Sequence, residues 1–489
     1  MGKRSSGRMR IGEGYPSRRQ VLTGIAAGGI TATLGFPSGP ATAQAPRPRE
    51  GRYLLKNGIV LSLDPKVGDF DRADVLIEGA RIVAVRPDIQ ASATVIDAAN
   101  TIVMPGFCDS HHHFYQSALR NALGNGLLDD YFRDIVNKAT PLYRAEDAYI
   151  GVLSGALRSI SAGITGVTDL SQVSNSPEHS DAMVKAFEDS GIRAVHAYSR
   201  GYGAGAKYPQ DVERLQKQHF SASDRLVTLA LATGIDKQQW LLARRQGLRI
   251  YTHVVGAVSA IAPAAIIKLG DEGLMGPDNV YIHFSGATAA QVRRVKDTGG
   301  WLSIACPIEM TMRHGLPPLQ HALDLGMRPS LSSDVETTMA ADMFSQMRTV
   351  FVLQRSQLNE RAIAGEKDLP ALLTAKDIVA MGSLEGARVN GHEARTGSLT
   401  PGKDADVIML RTDLTNVMPL NNAYGAIVTG MDTSNVDTVM VAGRILKHQG
   451  RLVGVDLRAH AKRLAASRDH LVEKLGWPRS VVDTSLPGH

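Results

Sequence analysis

Met104-Pro-Gly-Phe-Cys-Asp-Ser-His-His-His-Phe114 decides how this chain is read. The apolar run Thr101 to Met104 reads as a strand, Pro105 and Gly106 interrupt it, and a second short run ends at Asp109-Ser110. Three histidines follow. Along an extended strand, residues i and i+2 point to the same side. His111 and His113 can therefore present two imidazoles to one point while His112 points away, which is the geometry of two ligands to a transition metal such as zinc. The same triplet also reads as a surface cluster of histidines, so the remainder of the chain has to choose.

At 489 residues, the chain has room for one large domain and a smaller one. It is 43% apolar and 21% charged, an ordinary globular balance. The formal net charge of +6 is concentrated at the start. Residues 1–45 hold six basic residues (Lys3, Arg4, Arg8, Arg10, Arg18, Arg19) and one acid, Glu13, which leaves about +1 for everything after them. No basic tract dominates that part, so charge gives no reason to expect a nucleic-acid partner. The two cysteines, Cys108 and Cys306, are too few for a disulfide framework and lie in apolar runs, which reads as two buried thiols.

The opening segment reads as a targeting signal. Ser17-Arg18-Arg19-Gln20-Val21-Leu22 resembles the twin-arginine export motif; a weakly apolar stretch, Val21 to Phe36, follows, and Ala43-Gln44-Ala45 is a small-x-small cleavage site. The apolar run is too short and too rich in glycine for a stable membrane span. A signal peptide over 1–45 therefore implies the twin-arginine machinery as a partner and a periplasmic or secreted location.

From Arg52 to Met104 short β-rich runs succeed one another: Tyr53-Leu54-Leu55, Gly58 to Leu61, Ala73 to Ile77 and Arg81 to Val85. Turn residues separate them, including Asn57-Gly58 and Glu78-Gly79. The texture returns at Ala405 to Leu410 and Val436 to Val441. Neither half suffices for a sandwich of its own, so the expectation is one small β-sandwich domain built from both ends of the chain, 46–105 and 395–455. The middle, 106–394, alternates apolar runs with helical segments. After the strand before His111 come Gly166 to Leu170, Arg193 to Tyr198, Leu226 to Leu231, Arg249 to His253, Val280 to His283, Trp301 to Ala305 and Pro329 to Asp334. Eight strands with crossover helices argue for a (β/α)8 barrel inserted in the β domain, with a doubly wound sheet as the alternative. Residues 456–489 form a helical tail, in which Leu457 to Leu475 has an amphipathic pattern suited to packing on its own barrel or on a partner.

Functional residues of such barrels gather at the C-terminal strand ends. His111 and His113 end the first strand, His253 the fifth, His283 the sixth and Asp334 the eighth. A lone histidine at such a position is often structural, but five polar residues at equivalent ends are hard to explain by packing. Asp334, set among Leu331, Ser332, Ser333 and Val335, would be costly to bury without a partner. Beyond strand seven, Glu309 reads either as a pocket carboxylate or as a loop acid bound to Arg313, and His314 as a substrate contact or an exposed loop residue. His179 reads as part of a helix N-terminus begun near Pro177, and Gly201 to Gly205 as a flexible loop near the mouth. Phe114, Tyr115 and Tyr131 read as the lining of an apolar pocket or as packing for the helix that follows.

This ordered set resembles the amidohydrolase superfamily, and within it the branch of cytosine, S-adenosylhomocysteine and guanine deaminases and triazine hydrolases. Pro105 to His113 matches the branch's PGF-x-D-x-H-x-H signature, His253 its strand-five ligand, Tyr281-Ile282-His283 its strand-six histidine and Ser333-Asp334 its strand-eight aspartate. Thr396 to Asp406 matches its return to the β domain. The resemblance implies one divalent metal, zinc with iron or manganese as alternatives, held by His111, His113, His253 and Asp334. Asp334, His283 and Glu309 are the candidate catalytic residues, acting with a water that the metal activates. It also implies a homo-oligomer as a possible state. No lysine ends strand four (Leu229 to Gly234), which argues against a lysine-bridged binuclear centre. Deaminases of this branch carry a glutamate three residues after the strand-five histidine, and Gly256 stands there instead. The expectation is therefore a hydrolase of a non-peptide C–N bond in a cyclic amide, amidine or aminated heterocycle. A lyase on the same scaffold and an exported metal-containing binding protein are the alternatives.

Overall fold

The computed structural model describes residues 51–482 apart from 223 and 257–260; the signal expected at 1–45 lies outside the described residues. The chain ends build one mixed sheet. Arg52–Leu61, Asp69–Glu78, Arg81–Arg86, Thr94–Asp97 and Thr101–Pro105 come from the first half, and Val407–Arg411, Val436–Val441, Arg444–His448 and Arg451–Leu452 from the second. The halves join where Thr101–Pro105 pairs antiparallel with Val407–Arg411, Met104 opposite Ile408. Leu55, Val60, Val75, Ile77, Val103, Val407 and Met440 bury one face as a small core, while Ile102, Met104, Ile408 and Leu410 on the other face enter the main core. Asn57-Gly58 makes no turn. Arg52–Leu61 runs through it as one strand with a bulge: Asn57 has φ +69°, and the register to the neighbouring strand slips on both sides of Gly58. A Cβ at Gly58 would lie 2.6 Å from Val103 Cγ2, so the glycine permits the close approach of the two strands.

The eight-stranded parallel sheet follows chain order: Phe107–His112, Ile164–Leu170, Arg193–Tyr198, Val227–Thr233, Ile250–Val255, Asn279–Ser285, Trp301–Ile304 and Ser330–Leu331. The eighth strand is only two residues long. The sheet closes one step further on, where His112 bridges Asp334: His113 N donates to Asp334 O (2.9 Å) and Asp334 N to His111 O (3.1 Å). The residues expected to hold a metal are thus also the backbone seam of the barrel. Leu170, Val195, Ala197, Ala230, Tyr251, Val280 and Ile282 fill the interior. Helices such as Ala145–Ser161, Pro177–Ser190 and Ala289–Asp297 cover the outside, the last begun by a Thr288 side chain accepting from Gln291 N.

Barrel and sheet are tied by an ion cluster absent from the sequence reading. Arg193, at the foot of strand three and 1% exposed, donates through Nε to Asp406 Oδ2 (2.8 Å) and through Nη2 to Asp404 Oδ2 (2.8 Å) and Asp406 Oδ1 (3.0 Å). Arg81 and Arg395 also pair with Asp404. The amphipathic tail Leu457–Leu475 packs on its own chain against Ala145–Ser161, with Leu471 and Trp477 buried in the main core. Among the described residues no helix is long and apolar enough to cross a membrane. Cys108 and Cys306 are buried free thiols.

Candidate metal centre

The strand alternation expected at the top of strand one is present. His111 and His113 bring their Nε2 atoms to 3.2 Å, and His253 Nε2 lies 3.1 Å from His111 Nε2. Asp334 Oδ1 lies 3.6 Å from His111 Nε2 and 3.7 Å from His113 Nε2. Donors about 2.0–2.2 Å from a tetrahedral zinc stand about 3.4 Å apart, so His111, His113 and Asp334 stand close to the spacing of ligands to one cation, with His253 brought to them through His111. His112 turns away, as expected, and meets Ser333 Oγ at 2.9 Å.

The donor chemistry also fits. Burial, followed by the neighbouring imidazoles, holds His111 and His253 well below the usual histidine range, and burial lowers His113 to about 4. Neutral imidazole is the form that ligates. The Nδ1 of His113 meets Leu170 O at 3.1 Å, which sets the tautomer with Nε2 free for a metal. Asp334 is pushed well above the usual carboxylate range by burial, then by Glu309 and Asp109. A divalent cation at this point would remove that penalty.

Two backbone departures aim the remaining groups. Ile282 faces the barrel interior, so strict alternation would turn His283 outward. Instead His283 (φ +67°) and Phe284 (φ +50°) are left-handed, and the pairing with strand five slips between Val254–His283 and Val255–Ser285. This bulge swings His283 inward, with its Nε2 3.7 Å from Asp334 Oδ2, and sends Phe284 into the helix layer. Asp334 is itself left-handed at φ +60°. Such strain, on the order of 1–3 kcal/mol per residue, persists where the surroundings over-determine it.

Of the two readings of Glu309, the structure realises the one that faces the site. Its Oε1 meets His283 Nδ1 at 3.0 Å and accepts from Ala305 N at 2.9 Å, while Oε2 is buried without a partner among the described residues. Burial raises Glu309 to about 8 and lowers His283 to about 3. His314 is not exposed; it is 3% accessible, with its ring edge-on to His283 at 4.8 Å. The absent glutamate has a steric reason: a Cβ at Gly256 would lie 2.4 Å from Ser285 O, because the ends of strands five and six are in backbone contact there.

The other candidates sort cleanly. His179 sits in the first turn of its helix, between Ser176 Oγ (2.8 Å) and Tyr143 O (2.9 Å), away from the cluster. The Gly201 to Gly205 loop is pinned: Asn175 Oδ1 accepts from Tyr202 N and Gly203 N, and a Cβ at Gly201 would meet Ser174 O at 2.1 Å. Phe114 packs edge-on against Phe187 in the core, while Gln116 Nε2 donates to the hydroxyls of Tyr131 (2.6 Å) and Tyr115 (3.0 Å). Sequence reading gave no role to Asp109, which stitches strand one to the eighth-strand end by accepting from Ser333 N (3.1 Å), His111 N (3.3 Å) and Ser333 Oγ. Its place in the PGF-x-D pattern was the only signal.

Comparison with known proteins agrees with this geometry. The amidohydrolase family profile matches residues 102–446. This chain belongs to the amidohydrolase family. Its class is that of metal-dependent hydrolases of non-peptide carbon–nitrogen bonds. A 5'-deoxyadenosine deaminase of Methanobrevibacter smithii is 26% identical, covering 87% of this chain and 99% of its own length. A 5-methylthioadenosine/S-adenosylhomocysteine deaminase of Carboxydothermus hydrogenoformans is 26% identical over 82% and 94%. Among solved structures, an adenosine deaminase from Xanthomonas campestris with bound zinc superposes with TM-score 0.76 at 19% identity, covering 86% of this chain and 99% of that one. Atrazine chlorohydrolase from Arthrobacter aurescens complexed with zinc gives TM-score 0.76 at 20% identity, covering 85% and 100%. These two establish likeness of fold.

Proposed function

We propose that this amidohydrolase cleaves a C–N bond of a small nitrogen heterocycle, a cyclic amide, amidine or aminated ring, with a divalent metal, zinc foremost, held by His111, His113, His253 and Asp334. The observation that carries the reading is the gathering of His111 Nε2, His113 Nε2 and Asp334 Oδ1 within 3.2–3.7 Å of one another, with His253 Nε2 3.1 Å from His111 Nε2. When bound, the metal brings the pKa of a ligated water from about 15.7 toward about 7. Asp334 has its second oxygen free of the three ligating histidines and takes the proton of the attacking water. His283 Nε2, 3.7 Å from that oxygen, faces the bond under attack and polarises it or stabilises the charge that develops. Glu309, behind it, fixes the ring through Nδ1. The relatives' names and the shared family support a heterocyclic substrate. Gly256 favours ring opening over deamination, because the backbone contact leaves no room there for a carboxylate to serve an amino leaving group.

The purified full-length protein should hydrolyse members of a panel of cyclic amides, amidines and aminated heterocycles, with labelled oxygen from water appearing in the product. Turnover without label would make it a lyase, and tight binding without product an exported binding protein. The twin-arginine pattern at Ser17 to Leu22 supports export; recovery of the expressed protein only in the cytosolic fraction of a host with an intact twin-arginine pathway would refute it.

A further inference from the structure

Beside the four-ligand site, a second group of buried donors converges on Asp334. His283, His314 and Asp334 offer donor atoms that all lie within 4.8 Å of one another. The Asp334 carboxylate is divided between the two groups. Oδ1 faces His111 and His113 at 3.6 and 3.7 Å, and Oδ2 faces His283 Nε2 at 3.7 Å. Both ring nitrogens of His314 are buried and have no partner among the described residues. Its backbone is held on both sides: His314 N donates to Glu309 O (3.1 Å) and Ser285 Oγ donates to His314 O (2.7 Å). The chain reaches this point through Arg313 at φ +62° and leaves it through Gly315 at φ +101°. A loop so constrained presents an imidazole to the site and gives it nothing to bind. The contact between His283 Nδ1 and Glu309 Oε1 is, in turn, the carboxylate support that orients a ligating imidazole and leaves its Nε2 lone pair free.

We infer that His283, His314 and the outer oxygen of Asp334 form a second divalent-cation site, bridged to the first by the Asp334 carboxylate. The inference rests on the four-ligand site of the proposed function. It does not use the strand-four lysine that this sequence lacks; the bridge is the aspartate alone, and the extra ligand comes from the loop after strand seven. Two imidazoles and a carboxylate suit zinc, manganese, iron or cobalt. Two cations sharing a carboxylate would stand about 3.5–4 Å apart; the polarising role of His283 would pass to the cation it holds, and Asp334 Oδ2 would accept a proton only in the singly loaded protein.

The test needs no substrate. Metal-free full-length protein is titrated with Co(II) and followed by its visible d–d bands, with elemental analysis after buffer exchange. The same is done for His314→Ala, His314→Asn and His111→Ala/His113→Ala, with thermal melts as a check on folding. Wild type should bind two equivalents, and both His314 variants one. Manganese-loaded wild type should show the exchange-broadened electron paramagnetic resonance spectrum of a coupled pair, and the His314 variants the spectrum of an isolated ion. One equivalent in wild type at saturating cobalt, or two in a folded His314 variant, overturns the second site and leaves the first intact. No bound cobalt in wild type overturns both.

Discussion

At the residue scale, the site is made by few atoms with little freedom. Alternation places the imidazoles of His111 and His113 together, and that much was legible in Asp109-Ser110-His111-His112-His113. His283 is different. Alternation from Ile282 points it outward, and only the left-handed pair His283–Phe284 brings it in; no composition or period signals a bulge in a parallel strand. The partner of Glu309 was equally hidden, because Arg313 is near in sequence and His283 is near only in space. Glu309→Gln keeps the shape but removes the carboxylate. It should lower kcat by about 10- to 100-fold, as loss of such support usually does, with the four-ligand metal retained on elemental analysis. Unchanged turnover would remove Glu309 from the chemistry.

At the element scale, strand ends do the positioning. Strands one to seven were readable as apolar runs between helical segments. The eighth, read at Pro329 to Asp334, forms over only two residues, Ser330–Leu331, and the barrel is closed by the bridge from His112 to Asp334. Asn57-Gly58 carries a turn signature yet lies within a strand, since Val103 packs over the glycine. Gly256 belongs at this scale too, because it lets the ends of strands five and six touch. Gly256→Glu should not create a deaminase. It should destabilise the protein by about 1–3 kcal/mol through overpacking, seen as a lower denaturation midpoint, and give no ammonia release from aminated heterocycles. A stable variant that gains such activity would show that the space is available.

At the scale of the whole molecule, the barrel and the terminal sheet are held together by a buried charge cluster as well as by apolar contact. Arg193 is wedged between Asp404 and Asp406, and Arg81 and Arg395 also pair with Asp404. Removing it leaves the buried Asp406 without its cation, so Arg193→Ala should cost about 3–5 kcal/mol in urea unfolding. A loss under 1 kcal/mol would mean that the other arginines suffice. The insertion of the barrel between two β-rich ends was legible from their repeated texture. The cluster was not, because Arg193 lies about two hundred residues from Asp404 and Asp406 in sequence. The central claim is that three histidines and one aspartate at the mouth of this barrel hold a catalytic metal. The most direct measurement is an anomalous difference map from crystals of the metal-loaded full-length protein. The account predicts a peak about 2.0–2.2 Å from the Nε2 atoms of His111, His113 and His253 and from Asp334 Oδ1. Metal-loaded crystals with no peak among those four atoms would contradict it.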